Sequence, residues 1–184
     1  MLAPIPGKPG KNPAFFSLSI FPRATGAMIP RTNNSFARIG RHLWSGGFAC
    51  WGYDNREAAL RMPTSPQGVS HFEFKTHDAT ANPYLALGGI LAAGLDGVEK
   101  KMSLPDPVDV DPGLLDSKER KVKKIAELPK GLKTVLNNLE KNKVLTEAMG
   151  PELTRSYLAV KREELDSLSK LSAAEEVDLL LQRY

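Results

Sequence analysis

Polar and apolar side chains alternate strictly in the segment HFEFK, residues 71–75. Successive side chains of a β-strand point to opposite faces, so Phe72 and Phe74 share one face and His71, Glu73 and Lys75 share the other. The pattern predicts a strand whose two phenylalanines pack into the core. The polar row then faces either water or a cleft.

A long apolar segment follows this strand and has the start signals of a helix. Asn82 suits the N-cap position, and Pro83 suits the first helical position. The sequence YLALGGILAAGLDGVEKKM, residues 84–102, is apolar around most of a helical circumference. We therefore predict a helix that is buried on several sides. Four glycines lower its helix propensity and predict the close approach of another backbone. They are Gly88, Gly89, Gly94 and Gly97.

Apolar runs and turn residues predict the remaining elements. GFACWGY (47–53) and EAALRMP (57–63) have strand composition, TSPQG (64–68) is typical of a loop, and SLPDPVDVDPG (103–113) is typical of a linker. Helical spacing predicts further helices at roughly 114–127, 129–141, 151–170 and 172–182. The predicted fold class is α+β, with a small antiparallel sheet followed by a helical C-terminal half.

Composition and charge then narrow the classes of function. The chain has 184 residues, a net charge of +4 and one cysteine, Cys50, which lies in an apolar run and is predicted to be a buried thiol. A lone cysteine is compatible with a reducing, cytoplasmic location. The first fifty residues carry six Lys or Arg and no Asp or Glu, but these cations are scattered, so nucleic-acid binding is not predicted.

No apolar run approaches the ~20 residues of a membrane-spanning helix, so we predict no membrane partner. Residues 1–27 are rich in proline and glycine. Prolines interrupt their short apolar run, which is a poor match to a signal peptide, and we predict a flexible leader there.

Charged residues in two places leave a structural and a functional interpretation open. The row His71, Glu73, Lys75 and His77 could be a solvated strand face, or it could hold a divalent cation and an anionic substrate. Arg56 and Arg61 could be ordinary surface residues, or a bend or bulge near Ala58 or Ala59 could bring both into one anion-binding cleft. The chain has no P-loop and no GxGxxG motif.

Three motifs resemble the catalytic part of the glutamine synthetase superfamily. They are NNSFARIG (33–40), CWGYDNREAALRMP (50–63) and FEFKTHDATANPYLALGGILAAGLDGVEKKM (72–102). The sequence of these motifs is most similar to the nodulin/FluG-like branch of the superfamily. The resemblance runs over residues 28–184. The resemblance implies a partial glutamine synthetase-type catalytic domain that lacks the small N-terminal domain and the first part of the catalytic domain.

The resemblance also implies roles for individual residues. Arg38 resembles an arginine that holds glutamate, and Arg56 resembles the catalytic arginine that binds the reacting carboxylate and phosphate. Arg61 resembles an arginine that contacts the phosphates of ATP. Glu73 resembles a ligand of Mg²⁺ or Mn²⁺. Lys75 stands where the family usually has a substrate-binding arginine, and it keeps the charge without the bidentate fork.

The implied reaction is the ATP-dependent ligation of glutamate to ammonia or a small amine through a γ-glutamyl phosphate. Trp44 stands where classical enzymes have a glutamate that takes a proton from ammonium. This difference favours a larger amine, as in gamma-glutamylpolyamine synthetases. The alternative is a non-catalytic scaffold or regulatory fragment that retains the fold. The family also implies a homo-oligomer for the full-length form.

Overall fold

A computed structural model describes residues 33–43, 46–69, 71–77 and 81–183. Strands predominate in its first half, and helices predominate in its second half. In chain order the elements are α1 (Asn33–Ala37), β1 (Phe48–Tyr53), β2 (Ala58–Met62), β3 (Thr64–Ser65), β4 (Gly68–Val69), β5 (Glu73–Phe74), α2 (Pro83–Glu99), α3 (Ser117–Val122), β6 (Ala126–Glu127), α4 (Leu132–Lys141), α5 (Lys143–Met149), α6 (Pro151–Leu168) and α7 (Ala173–Arg183).

A four-stranded sheet in the order β5-β2-β1-β6 confirms the α+β class. The sheet is mixed and not wholly antiparallel as predicted, because β1 and β2 are parallel while β5 and β6 run antiparallel to their neighbours. The chain doubles back so tightly after Tyr53 that Ala58 pairs beside Phe48, at the start of β1. Alternation of side chains predicts a strand but not its direction, so the sequence pattern could not reveal this reversal.

The sheet buries apolar residues on both faces. Trp51, Leu60 and Met62 form one cluster. Phe48 and Cys50 belong to another, together with Val108 of the linker. Cys50 is 5% exposed, and burial raises the pKa of its thiol to about 12. This confirms the prediction of a buried thiol.

The strand predicted over residues 71–75 is shorter in the structure. β5 pairs with β2 only through Glu73 and Phe74, opposite Arg61 and Leu60. Phe74 packs against the Trp51 cluster as predicted. Phe72 is 39% exposed, so its predicted place in the core is wrong. The reason is that Phe72 lies beyond the last paired residue of β5.

α2 begins where the sequence predicts. The Asn82 side chain accepts hydrogen bonds from the backbone N–H groups of Tyr84 and Leu85 at 3.0 and 3.2 Å, and Pro83 takes the first helical position. The prediction that the helix is buried on several sides is wrong for this chain, since only Ala93 and Gly97 are buried. One side packs on the helical core, and nothing in the described part of the chain covers the other.

The C-terminal half differs from the prediction at its start. α3 ends at Val122, because Lys124 adopts a left-handed backbone (φ 56°) that turns the chain back to the sheet as β6. α4, α5 and α6 then enclose a core of apolar side chains. Its buried members are Leu132, Val135, Leu136, Leu139, Leu145 and Leu158. No helix among the described residues is long and apolar enough to cross a membrane.

Candidate functional site

The pairing of β2 with β5 places an arginine between two carboxylates. Arg61 and Glu73 are directly opposite each other in the sheet. Arg61 Nη1 donates to both carboxylate oxygens of Glu73 at 3.2 and 3.1 Å, and Nη2 reaches Asp54 Oδ1 at 3.4 Å. The Arg61 side chain is 19% exposed, whereas those of Glu73 and Asp54 are 39% and 48% exposed. The guanidinium is therefore held in a fixed position while the carboxylates remain open to solvent.

Asp54 is oriented by its own turn. Its backbone is left-handed (φ 50°), and its carboxylate accepts hydrogen bonds from the hydroxyl and the backbone N–H of Thr64. These two bonds are the main reason why the pKa of Asp54 lies below its usual value, and the charge of Arg61 lowers it further. Asp54 thus presents a negative charge next to Arg61.

Asn55 anchors the turn that carries Arg56. The Asn55 side chain is buried, and its Nδ2 donates to the carbonyls of Val108 and Val110 at 2.6 and 2.9 Å. Its Oδ1 accepts from the backbone N–H of Glu57 at 2.9 Å. These three bonds fix the backbone on both sides of Arg56, whose side chain is exposed.

Lys75 links the end of β5 to the same turn. Its Nζ donates to the carbonyl of Arg56, and its backbone N–H donates to Ala59 at 2.9 Å. Burial lowers the pKa of Lys75, and the nearby carboxylates of Glu57 and Glu73 partly oppose that shift. The charges of Arg61 and Arg56 also act on this ammonium. We refer to Asp54, Arg56, Arg61, Glu73 and Lys75 as the Arg61 cluster.

Arg38 lies against the segment that follows β5. Its guanidinium donates to the carbonyls of Lys75 at 3.4 Å and Thr76 at 2.9 Å, and also to that of His77. Arg38 therefore holds residues 75–77 beside the Arg61 cluster.

The structure brings the five predicted site residues together. The charges of Arg56 and Arg61 both act on Lys75, and Arg56 lies in the turn before β2 rather than within a strand. Trp44 lies outside the described residues, as do residues 1–27. Sequence reasoning missed Asp54 and Asn55. The turn-prone pair directly before Arg56 was the available signal.

The carboxylates of the Arg61 cluster could supply only part of the ligands of a divalent cation. Among the residues that the structure describes, no three His, Cys, Asp or Glu side chains come together in a way that could hold a metal ion. Magnesium in nucleotide sites is commonly held by one or two carboxylates together with phosphate oxygens and water. Glu73 and Asp54 fit one or two such positions, and the remaining ligands would have to come from elsewhere.

Comparisons with known proteins identify the family. A model of the glutamine synthetase catalytic domain matches residues 20–180. The type-1 glutamine synthetase 1 of Dictyostelium discoideum is 34% identical over 163 residues, which are 86% of this chain and 31% of that protein. A gamma-glutamylpolyamine synthetase of Streptomyces coelicolor is 38% identical over 138 residues, which are 73% of this chain and 30% of that protein.

A solved structure agrees with the sequence relatives. The structure of a GmaS–ADP complex matches with a TM-score of 0.72 at 27% identity, covering 96% of this chain and 41% of that one. The chain spans about a third of the length of the curated relatives that it matches. It belongs to the glutamine synthetase family, and its residues 20–180 match that family's catalytic domain.

Proposed function

We propose that this chain supplies the anion-binding part of an ATP-dependent ligase site. The reaction joins the side-chain carboxylate of glutamate to ammonia or a larger amine through a γ-glutamyl phosphate. The observation that carries the proposal is that Arg56, Arg61 and Lys75 lie around the β2–β5 pair, where the charges of both arginines and of Glu73 act on the ammonium of Lys75. Three cations gathered beside two carboxylates suit a reaction between anionic reactants.

Phosphoryl transfer depends mainly on positioning and on neutralising charge, which fits these residues. In the proposed site Arg61 contacts the phosphates of ATP, and the carboxylates of Glu73 and Asp54 fix its guanidinium. Arg56 binds the reacting carboxylate and phosphate from a turn that Asn55 holds rigid. Arginine's planar fork matches the oxygen pairs of both groups.

Lys75 and Arg38 support the substrate side of the proposed site. Lys75 keeps a positive charge near Arg56 and holds the backbone of that residue in place. Arg38 fixes residues 75–77 and offers further guanidinium N–H groups to glutamate. Glu73 would hold one position of a Mg²⁺ or Mn²⁺ ion, which supplies positive charge to the phosphate oxygens.

A larger amine is the second candidate acceptor. The similarity to a gamma-glutamylpolyamine synthetase, at 38% identity, favours it. A non-catalytic scaffold or regulatory role is the third candidate, and it is favoured by the lack of a complete metal-ligand group among the described residues. We also propose homo-oligomeric assembly and a cytoplasmic location, as the resemblance implies.

An assay of ADP release tests the ligase proposal. The chain is supplied with glutamate, MgATP and a panel of amines from ammonia to polyamines, alone and co-expressed with the remaining portion of the Streptomyces relative. We expect amine-dependent ADP release in the co-expressed preparation and a loss of roughly 100-fold or more in Arg56→Ala. Arg155→Ala, an exposed arginine on α6, is the matched control.

Two outcomes would contradict the proposal. Undiminished turnover in Arg56→Ala would remove the assigned role of that residue. ADP release that no amine raises above background, in either preparation, would favour the scaffold role.

A further inference from the structure

Positive charge is concentrated on α3 and on the two residues that follow it. Residues 117–124 carry five Lys or Arg and one Glu, a net charge of +4, which equals the net charge of the whole chain. α3 has no buried residue, and the four lysines of this segment are exposed. These lysines and the valine among them form what we call the α3 basic surface: Lys118, Lys121, Val122, Lys123 and Lys124.

Arg120 determines which side of α3 faces the protein. Its Nη1 donates to the carbonyl of Leu115, and its guanidinium lies 5.2 Å from the ring centre of Phe48, which is 1% exposed. Lys118 and Val122 are each rotated by about 200° from Arg120 around the helix axis, so they lie on the opposite side. Val122 is accordingly 82% exposed. One face of α3 therefore anchors the helix, and the other presents lysines and a valine to solvent.

The nearest carboxylates in the sequence are engaged elsewhere. The Asp116 side chain accepts hydrogen bonds from the backbone N–H groups of Lys118 and Glu119, each at 2.7 Å. The Glu119 carboxylate accepts from the backbone N–H of Asp116 at 2.8 Å, and Glu127 accepts from two cations outside the α3 basic surface. Within the described part of the chain, none of the four lysines forms an ion pair. Their charge is therefore not neutralised by this protein.

The stability of α3 does not account for these lysines. The helix dipole favours cations in the last turn and disfavours them in the first turn, where Lys118 lies. Lys118 and Lys121 are three residues apart on the helix, so their like charges repel each other. A partner that brings negative charge to this face would relieve both effects.

The residue types favour an acidic protein segment as that partner. Sites for single-stranded nucleic acid commonly stack bases on aromatic rings, and residues 114–127 contain no aromatic residue. A helix that lies in a membrane surface buries an extended apolar face, whereas the outer side of α3 offers one valine. Val122 lies one helical turn from Lys118 and beside Lys121, an arrangement that suits an apolar side chain flanked by carboxylates.

We propose that the α3 basic surface binds an acidic segment of a partner protein in which aspartate or glutamate residues flank an apolar side chain. The carboxylates pair with Lys118 and Lys121, and the apolar side chain packs on Val122. The α3 basic surface shares no residue with the Arg61 cluster, so the proposal does not depend on ligase activity. Because the paired charges are exposed, salt should weaken the binding.

A titration followed by NMR tests the proposal on the full chain. The probe is a synthetic peptide in which pairs of glutamates alternate with single leucines. The variant carries Lys118→Gln and Lys121→Gln together. The control carries Lys143→Gln and Lys170→Gln, which remove the same charge from two exposed lysines outside the α3 basic surface.

We expect the largest amide shifts at residues 118–124. The dissociation constant should rise roughly fivefold or more in the variant, because two surface ion pairs are lost, and should stay unchanged in the control. No binding, shifts that centre elsewhere, or equal losses in the variant and the control would overturn the proposal. Circular dichroism verifies that both proteins remain folded.

A second peptide, with serine in place of each leucine, tests the role of Val122. It should bind the unsubstituted chain more weakly than the leucine peptide does, whereas Val122→Ser should bind both peptides equally. An unsubstituted chain that does not distinguish the two peptides would contradict the apolar contact.

Parallel titrations with a single-stranded RNA oligonucleotide and with vesicles that contain phosphatidylserine compare the other anionic partners. Weaker binding of both than of the leucine peptide supports the proposal. Tighter binding of either one, lost in the Lys118→Gln and Lys121→Gln variant, would assign the α3 basic surface to that class of partner and overturn the proposal.

Discussion

Asn55 is the buried residue on which the position of Arg56 depends. Its side chain makes three hydrogen bonds to backbone groups of Glu57, Val108 and Val110. The bonds join the turn before β2 to the linker after α2. Without the amide, two carbonyls and one N–H would lose their partner in a buried place, which is more costly than never having made the bonds.

We therefore predict that Asn55→Ala lowers the free energy of unfolding by about 3 kcal/mol. Urea denaturation measures the loss. The control is Asn137→Ala, an exposed asparagine on α4, which should change that free energy by less than about 0.5 kcal/mol. Equal effects of the two substitutions would contradict the anchoring role of Asn55.

Some residues of the site were predictable and others were not. Arg56, Arg61, Glu73 and Lys75 could be chosen because they are charged residues within recognisable motifs. For Asp54 the sequence indicated a turn but not its place beside Arg61, because that place depends on a left-handed backbone and on Thr64, ten residues away. No period in the sequence encodes such a contact.

β1 packs so closely against the linker that one of its residues must be glycine. A Cβ atom at Gly52 would lie 2.1 Å from the carbonyl oxygen of Val108, which is a backbone clash. The linker is held there by Val108 N–H, which donates to Trp51 at 2.8 Å. The same linker carries both acceptors of Asn55.

Gly52→Ala should consequently destabilise the chain by about 2–3 kcal/mol. Gly88→Ala is the matched control, because that position is helical and open. It should stabilise the isolated chain by about 1 kcal/mol. Thermal unfolding followed by circular dichroism shows whether each substitution raises or lowers the stability. A stabilising Gly52→Ala would refute the close packing of β1 against the linker.

β6, which pairs with β1 at the sheet edge, carries a carboxylate with two cationic partners. Glu127 accepts from Lys130 and from Arg41, each at 2.7 Å. These hydrogen bonds, led by that of Lys130, lower the pKa of Glu127 to about 2 from 4.5. A lowered pKa means that the contribution to stability is present above pH 4.5 and is lost as the pH falls towards 2.

Glu127→Gln should lower the free energy of unfolding by about 0.5–1 kcal/mol near neutral pH, a small value because the pair is exposed. Denaturation at pH 6 and pH 3 measures the difference between this variant and the unsubstituted chain. The difference should shrink at pH 3. A difference that stays constant would contradict the ion pairs of Glu127.

Helix ends were easier to predict than strand directions. The Asn82–Pro83 pair determines where α2 begins through local hydrogen bonds, and these residue types are recognisable in the sequence. The parallel pairing of β1 and β2 depends on a tight reversal and on long-range contacts of Asn55. The early end of α3 likewise depends on a single left-handed residue, Lys124.

The molecule as a whole combines a rigid charged site with an uncovered apolar helix face. The sequence predicted that α2 is buried on several sides, yet Leu87, Leu91 and Leu95 on its outer face are exposed. An apolar pattern around a helix is typical of apolar surroundings on several sides, and among the described residues the outer face of α2 has no such cover. The chain is about a third of the length of its curated relatives.

The central claim is that the Arg61 cluster binds the phosphates of a nucleotide. Isothermal titration of the chain with ATP and Mg²⁺ tests it most directly, with Arg61→Met as the variant and Arg155→Met as the exposed control. We expect the dissociation constant to rise roughly tenfold or more in Arg61→Met, because a charge-assisted contact is lost, and to stay unchanged in Arg155→Met. Equal affinity in all three proteins, or no binding in any of them, would contradict the claim.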